Sequence, residues 1–203
     1  SHPRGFAPLW FMGGTDSYSE EQINGREAIR MVCVNDVAML RKPVSIEGGG
    51  SDGVVLTPES VLEWEWQVHE LPSSVAEDTV MTHDYISLAL EFDNGRDLTW
   101  FWTAAGELLE KPFHCPVKSW NGANAVHFQE THWAVRSPGA HELGQWYQES
   151  RRLLSDYDEA RADHTGDGGG PPARAVAVWL IGNSSFMHGV ARADFASCWI
   201  RGG

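Results

Sequence analysis

The sequence predicts a mainly β protein, an antiparallel β-sandwich of jelly-roll type with one amphipathic helix. Three observations predict it. Short stretches of alternating apolar and polar residues recur along the 203-residue chain, clusters of Gly, Pro, Asn and Asp separate them, and one late stretch changes to a helical period. A calycin-like closed β-barrel is the competing architecture, since it too is built from many short strands.

The clearest strand is Val61–His69 (VLEWEWQVH). Successive side chains on a strand point to opposite faces, so Leu62, Trp64, Trp66 and Val68 belong to the core and Glu63, Glu65, Gln67 and His69 to the other side. Before it, residues 1–28 read as an N-terminal arm with one edge strand. The run 29–40 is apolar and β-branched, with a turn or hairpin at Asn35-Asp36. Residues 47–53 form a Gly-rich loop and 54–56 a short strand. After an acidic loop over 73–82, the stretch 83–92 alternates again, with Ile86, Leu88, Leu90 and Phe92 inward and Tyr85, Ser87, Ala89 and Glu91 outward. Asp93-Asn94-Gly95-Arg96-Asp97 is a turn and residues 98–103 (LTWFWT) the returning strand. A long Gly/Pro-punctuated loop follows over 104–124. In the strand over 125–136, Trp133 and Val135 face inward and Phe128, Glu130, His132, Ala134 and Arg136 outward.

The period then changes. Leu143, Trp146, Tyr147, Ser150, Leu153, Leu154 and Tyr157 recur at helical spacing, which predicts an amphipathic helix over 143–162, closed by the Gly/Pro run 166–172. Residues 173–181 (ARAVAVWLI) are apolar enough for a strand buried on both faces, and 190–200 is the last strand. One domain over 1–203 is expected, with no second domain or linker.

The formal charge of −13 excludes nucleic acid and an anionic membrane surface as partners, because both require a positive footprint. The three cysteines are far apart and lack a CxxC spacing, so a reducing cytoplasmic location is the default expectation, with a secreted form left open. No HExxH or other metal-ligand spacing, GxSxG elbow, or Walker or Rossmann glycine pattern occurs. The expectation is therefore no metal, no cofactor and no nucleotide. The oligomeric state is not legible.

The order LEWEWQVHELP, DLTWFW, HWAVRS, WYQESRRLLSDY, AVAVWLIGNSS and ARADFASCWI resembles the uncharacterised bacterial family known as domain of unknown function 3047, over residues 54–200. The resemblance implies a jelly-roll-like sandwich and transfers no chemistry. In that family the loop before the last strand is commonly rich in Asp, Thr and Asn. Here it reads Gly182-Asn183-Ser184-Ser185-Phe186-Met187-His188, without carboxylates.

The outward faces collect acid/base residue types. A His and a Tyr over a concave sheet can move a proton while Arg or Gln neutralises a developing oxyanion, which makes His83, Tyr85, His132 and Arg136 the candidate catalytic residues. Glu65, Gln67, His69, Phe128, Glu130, Trp179 and Asn183 are the candidate substrate-binding residues, in a cleft shared by the strands 61–69, 83–92 and 125–136 and roofed by 104–124. Gln67-Val68-His69 also resembles the Gln-Ile/Val-His strand of sandwich-fold polysaccharide lyases. The partner expected is a small molecule or oligosaccharide. Two function classes follow: a cofactor-independent cyclase or lyase of bacterial secondary metabolism, and, as the alternative, a carbohydrate-binding jelly-roll module or polysaccharide lyase. A solvated sheet face is the bland reading of the same residues.

Overall fold

The computed structural model describes residues 2–9, 15–44, 52–78, 84–114, 130–162, 170–185 and 187–202. Its strands are β1 (Ala7–Pro8), β2 (Tyr18–Ile23), β3 (Arg26–Val34), β4 (Val37–Pro43), β5 (Val54–Val55), β6 (Val61–Glu70), β7 (Ile86–Phe92), β8 (Asp97–Trp102), β9 (Pro112–His114), β10 (Glu130–Arg136), β11 (Trp146–Arg152), β12 (Arg174–Asn183) and β13 (Val190–Arg201), with one α-helix, α1 (Leu153–Ala160). They form two sheets. The larger runs β1-β4-β12-β7-β8-β10-β9, with β5 added on β12, and the smaller runs β11-β6-β13-β3-β2. Neither sheet closes on itself, which sets aside the calycin-like barrel and leaves the jelly-roll-type sandwich. All strand pairs are antiparallel except β8 and β10, which run parallel.

The alternation in β6 dictates the core. Leu62, Trp64, Trp66 and Val68 are buried against Leu88, Leu90, Trp100 and Trp102 of the larger sheet, while Glu63, Glu65, Gln67 and His69 face away. The Trp64 ring lies 5.5 Å from Trp100 and 5.7 Å from Trp66, and Trp66 lies 6.4 Å from Trp102. Such large rings fill the gap between two sheets about 10 Å apart. As expected from its apolar run, β12 sits in mid-sheet with both faces covered.

Four expectations are corrected. The helix predicted over 143–162 is a strand followed by two turns of helix: Trp146–Arg152 pairs antiparallel with β6, and only Leu153–Ala160 is helical. The strand escaped notice because part of its inward side is charged. Glu149 is buried, accepts the Trp66 indole N–H at 2.9 Å and pairs with Arg136 at 2.6 and 3.0 Å. Second, Asn35-Asp36 does turn the chain, with Asn35 at φ 52°, but β3 and β4 belong to different sheets, so the turn is a crossing rather than a hairpin. Third, the segment 1–28 carries two paired strands, β1 on β4 and β2 on β3. Fourth, β6 lies in the smaller sheet and β7 and β10 in the larger, so the cleft predicted to be shared by all three does not form.

Candidate active site

The outer face of the larger sheet gathers the chemistry. Register sets its rows across β12, β7, β8 and β10: Ala177, Glu91, Asp97 and Glu130 in one, Trp179, Ala89, Thr99 and His132 in the next, then Ile181, Ser87, Phe101 and Ala134. Part of this face is covered. Leu9 of the N-terminal segment, held by its backbone N–H to Met39 O, packs with Ala89, Ala177, Trp179 and Ile181, and Phe113 packs with Phe101 and Ala134.

Glu91 is engaged on both carboxylate oxygens. Arg41 donates from Nε to Oε2 at 2.7 Å and from Nη2 to Oε1 at 3.0 Å, and Trp179 donates from Nε1 to Oε2 at 2.9 Å. Asp97, its cross-strand neighbour, is the opposite case: it is 7% exposed, and its Oδ2 has no hydrogen-bond partner among the described residues. Burial, then the charges of Glu91 and Asp84, push its carboxyl up to about 8. Thr99 Oγ1, two residues on and on the same side, is likewise buried without a hydrogen-bond partner among the described residues. The open end is at Glu91 and Arg41, whose side chains are 25% and 33% exposed. Deeper in, His132 is fully buried, stacked on Phe113 at 5.5 Å with its Nε2 3.9 Å from Asp84 Oδ2, and Ser87 donates to that same oxygen at 2.9 Å. Glu77, at the neighbouring loop, accepts from Thr103 Oγ1 and Ala104 N, both at 2.7 Å, and burial pushes it up to about 7.

Of the predicted site residues, this face holds Trp179, His132 and Asn183, with Glu130 at a register position on it. Tyr85 is corrected: β7 begins only at Ile86, so the alternation does not reach it, and it lies in the main core with its hydroxyl donating to Val75 O at 3.0 Å. Arg136 is corrected too. A register shift between Ala134 and Arg136 turns its guanidinium to Glu149 and onto the Tyr147 ring at 4.6 Å. Glu65, Gln67 and His69 sit on the outer face of the other sheet, where Glu65 pairs with Arg26 at 2.7 Å and His69 with the buried Asp194 at 2.7 Å. Gln67 donates there to Gly144 O. His83 and Phe128 lie outside the described residues. Sequence reading missed Arg41, Asp97 and Thr99. Asp97 was taken as the last residue of a turn, although the period-two set Asp97, Thr99, Phe101 within DLTWFW marks a common face.

Among the described residues no group of three His, Cys, Asp or Glu is arranged to hold a metal ion, and no helix is long and apolar enough to cross a membrane.

Fold and site together define a two-sheet β-sandwich of jelly-roll type with a carboxyl pair of unlike environments on the outer face of its larger sheet. The chain belongs to the family described as protein of unknown function (DUF3047), whose model matches residues 5–115. The match takes in the N-terminal strands, ahead of the stretch 54–200 that carries the sequence resemblance. No curated protein matches the sequence. The similar solved structures include two enzyme domains. One is the xyloglucanase domain of NopAA, a type three effector from Sinorhizobium fredii, in complex with cellobiose, at 8% identity and a TM-score of 0.48 over 99% of this chain and 95% of that one. The other is the catalytic domain of Humicola grisea Cel12A in complex with a soaked thio cellotetraose, at 12% identity and a TM-score of 0.43 over 98% and 95%. The expectation of a cyclase or lyase of secondary metabolism is corrected by the geometry: Tyr85 and Arg136, two of the four catalytic groups it required, are committed elsewhere.

Proposed function

We propose that the outer face of the larger sheet acts on an oligosaccharide, cleaving a glycosidic bond with Asp97 as proton donor and Glu91 as its charged partner. One observation carries this reading: two neighbouring carboxyl groups are held in contrasting environments, Glu91 ion-paired and Asp97 buried, with one oxygen unpartnered among the described residues and its carboxyl pushed up to about 8. Carboxyl groups driven apart in this way divide the roles of acid and ionised partner at neutral pH. Asp97 gives its proton to the leaving oxygen as the bond to the anomeric carbon breaks. Glu91 faces the positive charge that develops there, and water supplies the new hydroxyl and the proton that restores Asp97. Trp179, buried beneath Leu9, holds Glu91 in place through its indole N–H. An anionic polyuronate, as a polysaccharide lyase would need, is opposed by the net charge of −13.

The test is release of reducing ends from neutral oligosaccharides such as cellotetraose. Asp97→Asn and Glu91→Gln are each expected to lower turnover by about 10²-fold or more with the fold intact. Turnover of the parent protein is expected to fall as pH rises past about 8, where Asp97 loses its proton. Binding of the sugar without turnover identifies a carbohydrate-binding module instead. Full activity in Asp97→Asn overturns the assignment.

A further inference from the structure

The smaller sheet forks, and the fork opens a cleft of about 830 Å³. From Val34/Val190 to Ile29/Phe195, β3 and β13 are paired; beyond that point Arg26–Ala28 stay with β2 alone, while β13 continues along β6 to Arg201/Val61. An extra residue in β13 between Ala196 and Trp199, with Ser197 at φ 51°, widens the gap. Through it the space reaches core side chains, Trp64, Leu88, Leu180 and Phe195, and its volume falls within the roughly 300–1,000 Å³ of small-molecule sites.

The walls carry opposite charges. On the β2–β3 hairpin, Glu20, Gln22 and Glu27 fall on the side that Tyr18, Met31 and Cys33 give to the core, yet they are polar and line the cleft. Facing them from the larger sheet is Lys42, on the inward side of β4 with Leu40 and Ala38, its ammonium 5.4 Å from the Phe6 ring centre. Among the described residues no ion pair joins Lys42 to either glutamate. Glu20 accepts instead from the backbone N–H of Arg4 at 2.6 Å. Trp64, on the floor and 1% exposed, has an indole N–H with no acceptor among the described residues.

We propose that this cleft binds a zwitterionic amphiphile: its cationic group against Glu20 and Glu27, its anionic group against Lys42, and its apolar tail along the half-buried Phe6, Ile29, Val44 and Ile200, above the buried Trp64, Leu88 and Leu180. Unbridged charges of opposite sign on facing walls match a headgroup carrying both signs, and the apolar floor supplies the affinity a small headgroup lacks. The site is separate from the Asp97–Glu91 face, so the two readings stand or fall independently.

The experiment is calorimetric titration below micellar concentration with four eight-carbon probes: octylphosphocholine, octyltrimethylammonium, octyl sulfate and octyl glucoside. Octylphosphocholine is expected to bind one per chain, at least 5-fold tighter than each of the others. Lys42→Met is expected to erase its advantage over octyltrimethylammonium, and the double change Glu20→Gln, Glu27→Gln its advantage over octyl sulfate. Val54→Trp, which fills the wall from an exposed strand, is expected to weaken all four. Co-sedimentation with phosphatidylcholine vesicles separates a bilayer lipid from a free molecule as the source. Equal binding of octyl glucoside, unchanged ranking in the charge variants, or no saturable binding each overturns the proposal.

Discussion

Among the described residues five indole N–H groups donate to carboxylates: Trp66 to Glu149, Trp100 to Asp156, Trp133 to Glu110, Trp179 to Glu91 and Trp199 to Glu63, at 2.7 to 3.0 Å. Burying an indole N–H or a carboxylate costs less when each meets the other, which is how Trp66, Trp100 and Trp179 sit with Glu149, Asp156 and Glu91. Asp97 and Glu77 are less well served and are driven upward, to about 8 and about 7. Both folded values lie above the unfolded ones. Their contribution to stability is therefore whole below about pH 4 and is lost as pH rises, by at most about 1.4 kcal/mol per pH unit for each group, until Glu77 ionises near 7 and Asp97 near 8. Urea titrations at pH 5 and pH 8 are expected to show the parent losing stability between them, and the double variant Asp97→Asn, Glu77→Gln losing markedly less. An equal loss in both proteins would refute the linkage.

At the scale of elements, β11 is an edge strand fastened to the rest through Glu149. Glu149→Ala leaves the Trp66 indole without its acceptor and Arg136 without its partner, and is expected to cost about 3 kcal/mol by urea denaturation, with hydrogen exchange rising first in Trp146–Arg152. Unchanged exchange there would mean that the strand is held by its backbone ladder alone. This strand also shows where sequence reading stops. Elements with a clean apolar period, such as β6 and β7, were legible with their faces, because burial of one side writes itself into the residue types. Where the buried side is polar or charged, as with Glu149 on β11 or Asp97 and Thr99 on β8, the pattern points the wrong way. Partners distant in sequence decide the matter: Trp66 for Glu149, Glu91 for Asp97. Which strands share a sheet was illegible for the same reason, so residues on β6 and on β10 were joined into one cleft although two sheets separate them.

For the molecule as a whole, β13 holds the smaller sheet together. It lies between β6 and β3, which share no ladder of their own, and its contacts with them reach from Val190/Val34 to Arg201/Val61. Gly189, just ahead of it, passes so close to Pro72 that an added Cβ would stand 2.1 Å from the Pro72 carbonyl oxygen, and only glycine lets the strand enter. A chain ending at Gly189 is expected to lose cooperative thermal unfolding and to aggregate on gel filtration, since β3 and β6 would both present open edges. A sharp melting transition in that truncated chain would show that the larger sheet folds alone. During synthesis the same arrangement imposes a wait. At ribosomal speeds β3 is complete roughly 10 to 30 s before its neighbour β13 emerges, and for that interval its edge is available to any other extended segment. The order of strands in the smaller sheet thus exposes the nascent chain to edge-to-edge pairing, whatever the stability of the finished sandwich.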